Sequence, residues 1–166
     1  GMRRAAIKRA ANDGDRAALK KWAQLYRIDV DKQSTQDLKQ QILMRAGEIP
    51  VALALAQAVV ESGWGTSRFA LQGNALFGQW AWKESAGLKP LQASNERAVV
   101  RSFPNLFGSV RAYMHNLNTH QNYKGLRRER ARLLGRDERG KGYALAANLD
   151  RYAEIGMEYV DKLRAI

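Results

Sequence analysis

Glu61 closes a stretch that is otherwise without charge. The run Val51-Ala52-Leu53-Ala54-Leu55-Ala56-Gln57-Ala58-Val59-Val60 precedes it, and Ser62-Gly63-Trp64-Gly65 follows. A carboxylate in the last turn of an apolar helix meets the partial negative charge of the helix C-terminus. It also loses solvent to its Ala, Val and Trp neighbours, and both effects raise its pKa. A carboxylic acid still protonated near neutral pH can hand its proton to a leaving oxygen, the general-acid step by which glycosidic bonds are broken. The plainer alternative is an exposed helix-end glutamate with no chemical duty. Local physics leaves both readings open.

Other reactive groups are scarce. Cysteine is absent, which excludes disulfides and thiolate metal sites, and His115 and His120 are the only histidines. Such a pair supports a metal centre poorly, and the Asn-rich segment between them reads better as a polar helix face. No metal and no cofactor are expected. After Gly73 the chain turns aromatic, with Phe77, Trp80 and Trp82 set among small and polar residues. Asn74 either offers its amide to a ligand or caps the helix before it. Trp64 is equally consistent with packing behind Glu61.

Elements must position these groups. Pro50 suits the first position of a helix running to Ser62, and Gly63 suits its C-terminal cap. A helix apolar on every side expects to be wrapped by the rest of the chain. Upstream, residues 2–47 read as three amphipathic helices. The first runs from Arg3 to Asn12. Asp15 caps the second, which carries Leu19, Trp22, Leu25 and Tyr26, and Ser34 with Asp37 forms a capping box for the third. Downstream, Ser67 caps a short helix closed by Gly73, and an irregular loop runs from Phe77 to Pro90. Ala98 to Phe103 reads as one strand of a small hairpin, the only β-like region. Helices resume at Phe107, where Val110, Tyr113, Met114 and Leu117 share a face. A very basic helix spans Lys124 to Arg136, a loop covers Asp137 to Gly142, a short helix covers Tyr143 to Asn148, and a last helix covers Glu154 to Ala165. The apolar stripes read as core, and no internal repeat is present.

The length of 166 residues suits one domain with a real core, and 45% hydrophobic residues argue against disorder. A net charge of +12 implies an anionic partner or surface, for which nucleic acid and a polyanionic cell wall are equal electrostatic matches. The basic helix is either a solvated face or a contact for such a polymer. The sequence shows no transmembrane run and no signal-peptide pattern. Gly1-Met2 resembles the scar of tag removal, so a native leader is expected to have been cut away.

Several stretches carry a family resemblance in order and at matching spacing. They are Ala56-Gln57-Ala58 with Glu61-Ser62-Gly63-Trp64-Gly65, Ser67-Arg68-Phe69-Ala70, and Asn74 to Gly78 with Gln79-Trp80. Further on come Ser109 to Met114, Asn116-Leu117-Asn118, Arg151-Tyr152-Ala153 and Tyr159. Over nearly its whole length the chain resembles the glucosaminidase family of peptidoglycan hydrolases (glycoside hydrolase family 73), and within it the Bax-like group. The resemblance implies a mostly α, lysozyme-like helical body with a small β-hairpin lobe flanking a substrate groove. Residues 1–166 then form one domain: N-terminal helices (1–47), catalytic helix and motif (48–78), β lobe (79–104) and C-terminal helices (105–166).

It also implies an endo-β-N-acetylglucosaminidase that cuts the β-1,4 bond after N-acetylglucosamine in bacterial cell-wall glycan. The alternatives are a muramidase or lytic transglycosylase on the same fold, or a non-catalytic module that binds the cell wall. Glu61 maps onto the catalytic acid. Glu96 and Glu84 are candidates for a second carboxyl, although the histidine of the Bax-like pattern near Glu96 is missing here. Asn74, Phe77, Trp80, Trp82, Tyr113 and Tyr152 are the substrate-binding candidates. The implied partners are peptidoglycan strands and an anionic wall surface, with no nucleic acid. The implied location is the cell envelope, periplasm or exterior.

Overall fold

A computed structural model describes residues 2–31, 33–91, 98–135 and 137–166. The N-terminal helices α1 (Met2–Asn12), α2 (Arg16–Leu25) and α3 (Thr35–Arg45) start where their capping residues predict. Asp15 accepts from the Ala18 N–H. Ser34 accepts from the Asp37 N–H and returns its hydroxyl proton to the Asp37 carboxylate. These helices close on their own core of Ile7, Leu19, Ala23, Leu38 and Ile42.

A second, larger core lies among the later helices, built from Leu53, Ala56, Leu117, Leu126, Leu145 and Val160 among others. Its axis is α4 (Val51–Ser62). Pro50 lies one residue outside this helix as its N-cap, so the expected boundary moves by one position. The expectation that α4 is enclosed on all sides also needs correction. Val51 and Leu55 are 71% and 60% exposed, because α8 and α9 cover the helix from the other sides. Gly63 ends the helix in the left-handed conformation, as the C-cap reading requires.

Past α5 (Arg68–Gly73) the chain enters a three-stranded antiparallel sheet in the order β1 (Trp80–Ala81), β3 (Val99–Arg101), β2 (Gly87–Leu88). The expected loop between Phe77 and Pro90 therefore contains two edge strands and a 3₁₀ turn, Glu84–Ala86. Strands this short have almost no local signature. They exist because β3, with Val99 and Val100 buried, offers both of its edges for pairing.

The helices that follow are α6 (Leu106–Thr119), α7 (Lys124–Arg132), α8 (Glu138–Ala146) and α9 (Met157–Ala165), with a 3₁₀ turn at Gln121–Tyr123. Three expectations shift here. The basic helix ends at Arg132 instead of running on to Arg136. The segment after Asp137 is helical rather than a loop, since Asp137 accepts from the Gly140 N–H and starts α8. The last helix begins at Met157, behind a series of turns. No described helix is long and apolar enough to cross a membrane.

Several arginines serve internal architecture. Arg127 is buried and donates to the Leu117 and His120 carbonyls. Arg130 reaches back to the Met44 and Glu48 carbonyls, while Arg45 donates to Tyr26, Arg27 and Thr119, and Arg4 to Leu43 and Ala46. Arg4, Arg45 and Arg130 tie the N-terminal helices together and to the larger core, whereas Arg127 joins α7 to the end of α6. The basic helix is accordingly not one solvated face, although Lys124 and Arg128 remain exposed on it.

Candidate active site

Glu61 sits half-buried in the last turn of α4. Gly78, just beyond the Asn74–Gly78 segment's buried Phe77, lies against its carboxyl. Gly78 has φ +57, and a Cβ there would stand 2.6 Å from Glu61 Oε2. Only glycine combines that backbone with so close an approach. The segment leading to it is pinned from several sides. The Leu76 N–H donates to Ser109 Oγ at 3.2 Å, the Phe77 ring stacks on Tyr113 with centroids 3.9 Å apart, and the Tyr152 hydroxyl donates to the Phe77 carbonyl at 2.9 Å.

Around the carboxyl stands a group of phenols. The Tyr159 hydroxyl of α9 stands beside Glu61 as its hydrogen-bonding neighbour. Tyr152 stacks on Tyr159 with centroids 5.5 Å apart, and Tyr123 tilts against Tyr152 at 6.0 Å. Burial raises the pKa of Glu61, and the Tyr159 hydrogen bond only partly offsets that rise. No described cation acts to lower it. Burial and the neighbouring Glu61 charge likewise raise Tyr152 and Tyr159, so both remain phenols. The result is a carboxyl biased towards its protonated form inside a shell of neutral hydroxyls.

The other sequence candidates fall in different places. Phe77 is 3% exposed and Tyr113 is fully buried, so neither ring is offered to a ligand and both position the backbone near Gly78. Asn74 is the left-handed cap of α5, the second of its two sequence readings, with Gly73 as the last helical residue, and its amide donates to the Phe103 carbonyl. That bond joins the helical body to the end of the sheet region. Trp80 and Trp82 are 57% and 71% exposed on and beside β1. Tyr152 is half-buried at Glu61. Glu84 is exposed on its 3₁₀ turn, and Glu96 lies outside the described residues.

Two residues were missed as site candidates. Gln57, one turn before Glu61 on α4, is completely buried and bridges two tyrosines. A lone polar residue in an apolar helix was the available signal. Trp64 is 76% exposed, which excludes packing behind Glu61, and its φ of +58 lies between Gly63 at +57 and Gly65 at +77. Its N–H donates to the Val59 carbonyl, and the Gly65 N–H donates to Ser62 Oγ, so the turn is firmly held. Three left-handed residues in succession, one of them a tryptophan, are costly and persist where the surroundings enforce them.

Among the described residues no group of acidic or histidine side chains could hold a metal ion. A family model described as "Mannosyl-glycoprotein endo-beta-N-acetylglucosaminidase" matches residues 38–166. The chain is 32% identical over 152 residues to "Protein bax" of Escherichia coli (strain K12), covering 92% of this chain and 54% of that protein. It thus spans about half the length of the curated relative it matches. No solved structure matches. The matched region runs from α3 to the end of α9 and takes in every element around Glu61, so the chain belongs to the glucosaminidase family and is Bax-like within it.

Proposed function

We propose that this chain hydrolyses the β-1,4 bond after N-acetylglucosamine in bacterial peptidoglycan, with Glu61 as the general acid. The observation that carries the reading is the state of that carboxyl: desolvated, ringed by neutral phenols and free of any described cation that would draw off its proton. In this reading Glu61 protonates the glycosidic oxygen as the bond to the anomeric carbon breaks, and charge develops on the sugar ring. Tyr152 and Tyr159 present hydroxyls beside the carboxyl. The exposed indoles of Trp64, Trp80 and Trp82 offer apolar faces that suit the C–H faces of pyranose rings.

Glu96 is the proposed second carboxyl, in preference to Glu84. Where neither serves, the substrate's own acetamido group supplies the assistance, as in substrate-assisted glycosidases. An anionic wall surface as partner and an envelope location follow from the same reading, with the net charge of +12 holding the protein to its polymer.

Digestion of purified peptidoglycan, followed by borohydride reduction and mass spectrometry, tests the assignment. Reduced N-acetylglucosamine ends support it. Reduced muramic acid ends, or anhydro ends, replace it with a muramidase or lytic transglycosylase on the same site. Intact wall after incubation with folded protein replaces it with a wall-binding module.

A further inference from the structure

Buried in the core behind Glu61 is a hydrogen-bonded chain with a definite direction. The Tyr113 hydroxyl donates to Gln57 Oε1 at 2.7 Å, and Gln57 Nε2 donates to the Tyr159 hydroxyl at 2.9 Å. Gln57 and Tyr113 are fully buried and Tyr159 is 1% exposed. Polar groups buried this deeply must find hydrogen-bond partners, and here they satisfy one another.

The order of the chain follows from counting protons. A phenol carries one, and an amide has a donating end and an accepting end. Which end is which is decided by the surrounding network. The Tyr113 hydroxyl can fix the amide with its oxygen inward, and the NH₂ then points at Tyr159. Having accepted from Gln57, the Tyr159 oxygen has only its own proton left to give, and Glu61 is the acceptor beside it. With the amide turned round, its oxygen would take the Tyr159 proton and Glu61 would lose its donor.

We propose that Gln57 and Tyr113 are positioning residues that aim the Tyr159 hydroxyl proton at Glu61, by holding the Gln57 amide one way round. The consequence for catalysis rests on the glycosidase reading, whereas the hydrogen-bonded chain does not. Tyr113 is itself held by its stack on Phe77, so the segment that delivers Gly78 to the carboxyl and the network behind it share one support. The titratable groups acting with Glu61 are Tyr159 of α9, Tyr152 of the preceding turns and Tyr123 of the 3₁₀ turn. Tyr113 of α6 acts on Tyr159, and no described lysine, arginine or histidine enters. The directions of the shifts agree with the chain: Glu61 is pulled down by Tyr159, and Tyr159 is pulled down by Gln57 and up by Glu61.

The test is titration of the Glu61 carboxyl by ¹³C NMR in protein labelled at glutamate, with Glu61→Gln to assign the signal. Tyr159→Phe removes the donor, and the Glu61 pKa is expected to rise. Tyr113→Phe keeps the ring and its stack but frees the amide to turn, so a smaller rise is expected. Gln57→Met leaves Tyr159 no alternative acceptor, so the Glu61 pKa is expected to stay at the wild-type value. The same holds for the Gln57→Met, Tyr113→Phe double variant, which reverses the effect of Tyr113→Phe. A wild-type value in Tyr113→Phe, a raised value in either protein carrying Gln57→Met, or no response to Tyr159→Phe overturns the proposal. Because Gln57→Met is read on its own, the test survives if Tyr113→Phe does not fold. No substrate is needed, so failure of the glycosidase reading would show in the peptidoglycan digest and leave these titrations unchanged.

Discussion

Replacing Glu61 with glutamine should separate the stability of this fold from its chemistry. Burial outweighs the Tyr159 hydrogen bond, so the Glu61 pKa is higher in the folded protein than in the unfolded chain. A carboxyl of this kind binds its proton more tightly in the native state. Its contribution therefore favours folding at low pH and is lost as pH rises from the unfolded value through the folded one. Above both values the ionised carboxyl opposes folding by a constant amount, about 1.4 kcal/mol for each tenfold by which folding tightens proton binding.

Glutamine keeps the size of the side chain and an oxygen to accept from Tyr159, but it cannot ionise. Wild type and Glu61→Gln should melt together at about pH 4, and the variant should melt higher at about pH 8. For a domain of this size each kcal/mol moves Tm by roughly 2–4 °C. Turnover of peptidoglycan should meanwhile fall by about 10²–10⁴-fold, the usual contribution of a positioned general acid. Thermal melts across the pH range, run beside clearing of a wall suspension, read both effects. A variant that melts below wild type at the higher pH, or a gap that does not change with pH, would refute the electrostatic account. Normal clearing by the variant would refute the catalytic one.

Gly78→Ala should damage the site more than the fold. A left-handed alanine costs about 1 kcal/mol in stability, but its methyl would also displace the Glu61 carboxyl from 2.6 Å away. The expected result is a larger proportional loss in clearing rate than in Tm. Trp64→Gly relieves a left-handed tryptophan, so Tm should hold or rise by the equivalent of about 1 kcal/mol. Retention on peptidoglycan, measured in the Glu61→Gln background by pull-down, should weaken; unchanged retention would remove Trp64 from the binding surface. Arg130→Ala leaves the Met44 and Glu48 carbonyls without this donor. It should cost about 1–3 kcal/mol and speed hydrogen exchange in α3, with no change in the pH dependence of clearing.

The parts of this protein legible in its sequence are those decided within about one helical turn. Asp15, Ser34 and Ser67 start their helices because a side-chain oxygen meets an N–H three residues on. Gly63 ends α4 because it tolerates the left-handed backbone. Glu61 stands out for the same local reason, as a charge at the end of an uncharged helix. The family signature extended that reading to the mostly helical fold with its minor sheet.

Contacts between distant residues decided the rest, and they leave no trace in local spacing. The strands β1 and β2 take their form from pairing with β3. Arg127 and Arg130 read as surface charge until their guanidiniums find main-chain carbonyls far along the chain or behind their own helix. Phe77 and Tyr113 read as groove aromatics until they stack on each other in the core, and the open question of whether Trp64 packs behind Glu61 is answered only by the turn that holds it out to solvent. Local sequence brings a carboxylate to the end of an apolar helix. Only the tertiary structure supplies the desolvation, the Tyr159 donor and the buried Gln57 that together set how tightly that carboxylate holds its proton.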